Sequence, residues 1–210
     1  NDTLSYLHHE PIHRQYHHND MTFAMVYAYS ENFILPVSHD EVVHGKGSLL
    51  RKIPGWRDDQ IATLRAFLAY MWSHPGKQLI FMGCEFGQES EWADGHSLDW
   101  WLLDQPAHYR IHALVKDMNR IYKANPAMWR YDSSPAGFQW LNADDAGHNV
   151  FSFVRFGEGD RAVDAPVLVS VVNFSGMTHE QYRIGVPRGG KWRVVLDTAG
   201  YRPEAPSSAG

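Results

Sequence analysis

In the first half of this chain, each long polar stretch follows a short apolar run and none precedes one. Phe33 to Val37 reads as a buried strand. It leads into Ser38-His39-Asp40-Glu41 and then a glycine-broken loop, Gly45-Lys46-Gly47. Gln78 to Met82 reads as a second buried strand, ending in Gly83-Cys84-Glu85-Phe86-Gly87 ahead of another polar, Trp-rich loop. Helical spacing fills the intervals. Met21 to Tyr29 carries an apolar face after a possible Asp20 cap, and the first twenty residues ahead of it read as loop with one short turn of helix. Ile61, Leu64, Phe67, Leu68, Met71 and Trp72 keep 3.6-residue spacing after Asp58 or Asp59, until Pro75-Gly76 stops them. Pro106 suits the first turn of a helix running to about Tyr122, with Ile111, Leu114, Val115, Met118 and Ile121 on its inner face.

Strand, long loop, helix, strand, long loop, helix is the order of a β/α barrel, whose site is built from the loops at the strand C-termini. Two strands cannot close a barrel of about eight. The expected fold class is therefore α/β plus all-β, with residues 1–130 the C-terminal portion of a (β/α)8 TIM barrel. The pattern changes near Asn125-Pro126. From Gly137, short β-rich runs alternate with turns: Phe138–Leu141, Val150–Phe156, Val167–Phe174, Gln181–Val186 and Trp192–Leu196. Asp144-Asp145-Ala146-Gly147, Gly157-Glu158-Gly159-Asp160 and Arg188-Gly189-Gly190 punctuate them. Residues 131–210 are expected to form an antiparallel β-sandwich domain packed on the barrel part, with a frayed tail from Thr198.

Composition removes several function classes. A net charge of −5 over 210 residues argues against nucleic acid or an anionic membrane as partner. No apolar run is long enough to span a bilayer. A single cysteine, Cys84, and the lack of a secretory leader at Asn1 point to a reducing cytoplasm. Among the thirteen histidines, His9, His13 and His17 would share a helical face. Pro11 interrupts that helix, however, and no carboxylate or cysteine completes a ligand set, so neither metal nor cofactor is expected.

The motifs are more specific than the composition. Arg14-Gln15-Tyr16-His17-His18, Tyr27-Ala28-Tyr29-Ser30-Glu31-Asn32-Phe33, Ser38 to Leu49, Phe81-Met82-Gly83, Ser97-Leu98-Asp99-Trp100 and Val172-Asn173-Phe174 stand out, along with Asn1 to Tyr6. Together they resemble the 1,4-α-glucan branching enzymes of the α-amylase superfamily over almost the whole chain. The His39-Asp40-Glu41-Val42-Val43-His44-Gly45-Lys46-Gly47-Ser48 run carries most of that specificity. Cys84 and Ala93 depart from the family pattern, where Asn is usual at both positions.

The resemblance implies retaining transglycosylation, in which a carboxylate attacks the anomeric carbon and a carboxylic acid protonates the leaving oxygen. A sugar 6-hydroxyl then captures the covalent intermediate. Asp40 matches the family's third acid, which grips ring hydroxyls as the ring flattens, and His39 would bond a hydroxyl of the same sugar. The nucleophile and the acid/base find no match. Asp164, in Arg161 to Ala165, superficially echoes the nucleophile but lies among the β runs. Asp40 and His39 are thus the catalytic candidates, and the chain alone is expected to be inactive.

Glu41 and His44 either line the cleft or support the loop. Trp92 and Trp100, with Trp101, either stack on glucan or pack beneath the last loop. Glu85 is either a supporting group behind the site or an ion-pair partner. The expected partner is an α-glucan (glycogen, amylose or linear maltodextrin), acted on by a monomer. A glucan-binding module and a hydrolase of the same superfamily are the alternatives. Family members usually continue past the equivalent of Leu196-Asp197-Thr198 through further strands, so the β domain here is expected to lack its closing strands and to leave an open sheet edge.

Overall fold

A computed structural model describes residues 2–157 and 165–202. Asn1, Glu158 to Asp160 of the glycine-rich turn, Asp164 and the tail at residues 203–210 lie outside the described residues. The chain opens with helix α1 (Asp2–His8), is turned by Pro11, and resumes as a 3-10 turn, Arg14–His17. Helix α2 (Asn19–Thr22) and a 3-10 turn, Phe23–Val26, replace the single helix expected from Met21 to Tyr29. Asp20 lies inside α2 instead of capping a helix. Met21 is buried and Met25 packs against the core, but Phe23 and Tyr27 are largely exposed and meet each other edge-on, so only part of the expected apolar face reaches the core. Without that packing a short helix has little to stabilise it.

Strand β1 (Ile34–Val37), helix α3 (Arg57–Ser73) and strand β2 (Lys77–Ile80) form a parallel crossover unit. Ile34 pairs with Lys77 and Val37 with Ile80, and the Phe81 N–H extends the ladder to the Val37 carbonyl at 2.8 Å. Helix α3 begins at Arg57, just ahead of the expected caps. Asp59, at its third position, reaches back to accept the Trp56 N–H. Its buried apolar residues, Ile61, Leu64, Phe67, Leu68, Met71 and Trp72, keep the expected spacing, and Tyr70 widens the buried face toward the C-terminal end. Helix α4 (Pro106–Ala124) has Pro106 in its first turn and buries a single stripe, Ile111, Leu114, Val115 and Met118.

The second half holds β3 (Phe138–Asn142), β4 (Val150–Phe156) and β5 (Val167–Asn173), antiparallel in that order, with an irregularity between Trp140 and Asn142. Every residue of central β4 is buried. Gln181–Val186 and Trp192–Leu196 carry no ladder, so the described residues contain one antiparallel sheet and not the two of a sandwich. Val194 and Trp192 stay exposed, whereas Leu196 and Tyr201 rest against the core. An alternating pattern becomes a strand only where a partner offers its N–H and C=O groups.

One hydrophobic cluster joins both halves, with Tyr70 of α3 edge-on to Phe151 and Phe153 of β4 and to Phe174. Two buried arginines stitch the seam. Arg155 of β4 donates to Asp132 at 2.6 Å and to the Ser73 carbonyl at 2.9 Å. Arg14 donates to the carbonyls of Phe174 and His9 and lies over the Tyr6 ring. Among the described residues, no helix is long and apolar enough to cross a membrane.

Candidate functional site

The parallel pair places its chemistry at one end. His39 and Asp40 lie in a 3-10 turn, His39–Glu41, immediately beyond β1 and Ser38. His39 Nε2 stands 3.1 Å from Asp40 Oδ1, and both side chains are more than half exposed. The His39 ring sits 6.0 Å from that of Phe81, just past the end of β2. The two groups therefore project from the C-terminal end of the sheet, the end at which open α/β sheets bind ligands.

The loop that carries them is held from three sides. Lys46 Nζ donates to the Asp40 carbonyl at 2.6 Å, and Lys52 Nζ to the Lys46 carbonyl at 2.8 Å. Gly45 and Gly47 adopt left-handed conformations, φ 80° and 71°, which only glycine adopts freely. Their N–H groups both point at Glu91, in the loop after β2. Oε1 accepts from Gly45 at 2.9 Å and Oε2 from Gly47 at 2.7 Å. These two bonds hold the Glu91 carboxyl below its ordinary value, helped by nearby His44 and Lys52 against a small desolvation effect. Glu91 is the residue that sequence reasoning missed. Its only signal was an acid in one loop and two glycines in another, with nothing in sequence to bring them together.

The loop after β2 is a structured unit. Glu85 accepts the N–H of Gly83, closing its own turn. Gln88 accepts the Asp99 N–H, and Asp99 accepts the Ser90 N–H. Glu89 ties the loop to three other elements through Arg57 (2.8 Å), His108 (3.4 Å) and Arg51 (3.8 Å). His108 is buried in α4 and also bonds the Phe86 carbonyl.

The remaining candidates separate. Trp92 is half-buried, its ring edge-on to Phe81 and packed against the core, while its backbone N–H donates to the Val42 carbonyl and ties the two loops together. Trp100 lies tilted on Phe86 with 54% of its surface exposed, leaving a face free for a ligand. Glu41 is half-buried, and His44 is exposed with a positive φ of 59°. The structure thus gathers His39, Asp40 and, through the Glu91 latch, His44 at one strand end. Asp164 lies outside the described residues.

Residues 140–205 match the family model for the alpha amylase C-terminal all-beta domain, which places the antiparallel half in the α-amylase class. Over 201 residues, 96% of this chain, it is 61% identical to the 1,4-alpha-glucan branching enzyme GlgB of Frankia casuarinae, covering 24% of that protein. It is 55% identical over 197 residues to the enzyme of the same name from Thermobifida fusca, covering 94% of this chain and 26% of that one. With the Mycobacterium tuberculosis protein of that name it shares 51% over 198 residues, 94% of this chain and 26% of the relative. The chain belongs to the 1,4-α-glucan branching enzyme family, and it spans about a quarter of the length of these curated relatives.

Proposed function

We propose that this chain is the portion of a cytoplasmic 1,4-α-glucan branching enzyme that carries the substrate-gripping strand end of the active site. In this reading residues 1–130 are the last two strands of a (β/α)8 barrel with their helices, and residues 131–210 are the C-terminal β domain. Asp40 binds hydroxyls of the sugar whose bond is broken, and His39 shares that task. The α-1,4-glucan segment passes to a 6-hydroxyl with retention of configuration, using a nucleophile and an acid/base from other strands. Glu41 and His44 line the same loop, and Trp100 offers a ring on which a sugar face can stack. Glycogen, amylose or maltodextrin is the substrate and the enzyme is a monomer.

The observation that carries this reading is the position of the His39–Asp40 pair, at the end of a parallel pair whose outer face is open. Ile34 and Leu79 are about half exposed, and among the described residues each strand has one partner. Parallel strands in proteins have both faces covered. A groove beside β1, lined by Phe33, Leu35, Met21, Met71 and His74, has the character of a slot for a neighbouring strand.

The test is a comparison of two chains on amylose, followed by iodine colour and by debranching of the product. A chain extended to the length of the relatives branches amylose, and Asp40→Asn lowers that rate by about a thousandfold or more, on the scale of lost transition-state contacts. The 210-residue chain alone shows no branching. Branching by the short chain, or an Asp40→Asn enzyme of near-normal rate, would overturn the reading.

A further inference from the structure

A local reversal of the chain brings together three groups within residues 9–20. The chain reverses at Pro11, so His9, at the end of α1, stacks on His17 with ring centroids 3.5 Å apart and planes 12° apart. His17 Nδ1 faces Asp20 Oδ2 at 3.7 Å, one turn further along. One ligand atom from each of the three residues lies within 4.8 Å of the others. The carboxylate absent from the histidine spacing is therefore supplied by α2.

We propose that His9, His17 and Asp20 form a binding site for one divalent transition-metal ion of the zinc type, a property separate from the branching reaction and not dependent on it. Two imidazole nitrogens with one carboxylate oxygen suit Zn2+, Co2+ or Ni2+, whereas Mg2+ and Ca2+ favour all-oxygen sets. Ligand atoms about 2.0–2.1 Å from a tetrahedral ion are about 3.3 Å apart. The His17–Asp20 separation is a few tenths of an ångström above that. Metal bonds lie in the ring plane, so the two stacked imidazoles fan apart about their side-chain torsions on binding.

The backbone beneath the three groups is fixed already. Buried Arg14 donates to the carbonyls of His9 and Phe174. His18, next to His17, stacks on Phe151 at 4.1 Å and bonds the Ala143 carbonyl. Holding the frame while the ligating side chains remain half-buried gives an ion access and leaves room for water in the fourth position. Desolvation and His17 lower the pKa of His9, Asp20 opposes them, and His13 and His8 lower it slightly further.

The test is a titration of the untagged full chain, stripped with chelator, using CoCl2 and then ZnCl2. The expected result is one equivalent of Co2+ taken up with a visible absorption band that Zn2+ abolishes. Ring-proton signals of His9 and His17 shift before those of the other histidines. His9→Gln and Asp20→Asn each weaken uptake by about tenfold or more, while His13→Gln leaves it unchanged. Absence of stoichiometric uptake, first response at other histidines, or equal affinity in His9→Gln and Asp20→Asn would each overturn the proposal. The signal-shift readout needs no variant, so a substitution that impairs folding leaves it decisive.

Discussion

The carboxylate of Glu91 accepts the backbone N–H of Gly47 at 2.7 Å, and its second oxygen accepts that of Gly45, so one side chain latches the loop after β2 to the loop that bears Asp40. Charge-assisted bonds of this kind are roughly twice as strong as neutral ones. Replacing Glu91 by Gln removes the charge and leaves a single acceptor oxygen. Amide exchange at Gly45 and Gly47 should then rise clearly, while exchange in α3 stays as it was. Unchanged exchange in the loop would show that Lys46 and Lys52 hold it without Glu91.

The same latch has a pH signature. The Glu91 carboxyl is held below its ordinary 4.5, chiefly by the two glycine N–H groups. A lowered carboxyl contributes order that is present above that ordinary value and is lost as pH falls through the lower, folded-state one. The amide proton shifts of Gly45 and Gly47 should therefore titrate together below pH 4.5. Titration at or above the ordinary value would mean that the two bonds do not bias the carboxyl.

Arg155 and Asp132 should respond unequally to truncation. Removing Asp132 leaves the Arg155 charge buried, with the Ser73 and Gly137 carbonyls as its remaining partners in this network. Asp132→Ala should cost about 3–5 kcal/mol in urea unfolding. Arg155→Met should cost less, because Lys77 still neutralises Asp132 at 2.5 Å and the methionine fills much of the space. A reversed order would assign the stability to Arg155 packing and not to the charge pair.

His74 makes stability depend on pH between about 4 and 6.5. Burial pushes it down from 6.5 to about 4, with the Pro75 carbonyl opposing and Arg155 adding to the fall. In that window the unfolded chain binds the extra proton, so stability rises with pH and is lost as pH falls from the upper value to the lower. The gap corresponds to about 3 kcal/mol. His74→Gln should flatten that part of the stability profile, and a profile of unchanged slope would remove His74 as its source.

Trp92 and Trp100 should separate stability from ligand binding. Trp92 packs against Phe81 and the core, so Trp92→Ala should lower unfolding free energy by roughly 2 kcal/mol. Trp100 is largely exposed, and Trp100→Ala should cost less than about 1 kcal/mol. In a chain extended to the relatives' length it should weaken retention on amylopectin. Equal retention of Trp100→Ala and the parent would place the glucan elsewhere.

Periodicity is a local quantity, and where the partner was already implied it was enough. The apolar stripes of α3 and α4 and the run that became β1 each fold as their spacing predicts, with ends displaced by a residue or two. Asp40 and His39 were legible because a strand end followed by a specific motif fixes position along the chain. The expected helix at Met21–Tyr29 and the expected strands at Gln181–Val186 and Trp192–Leu196 had the pattern but not the partner. Phe23 and Val194 remain exposed where packing was anticipated.

The sequence by itself determined the family, the order of the main elements and the strand end that carries Asp40. Tertiary structure decided what crosses between distant segments: Glu91 on the glycines, Arg155 against α3, and Asp20 beside the two stacked histidines. These are contacts between groups many residues apart or turned back by a loop, and their energy depends on distance and direction in space. A one-dimensional pattern encodes which face of an element is apolar, but not which other element will meet it.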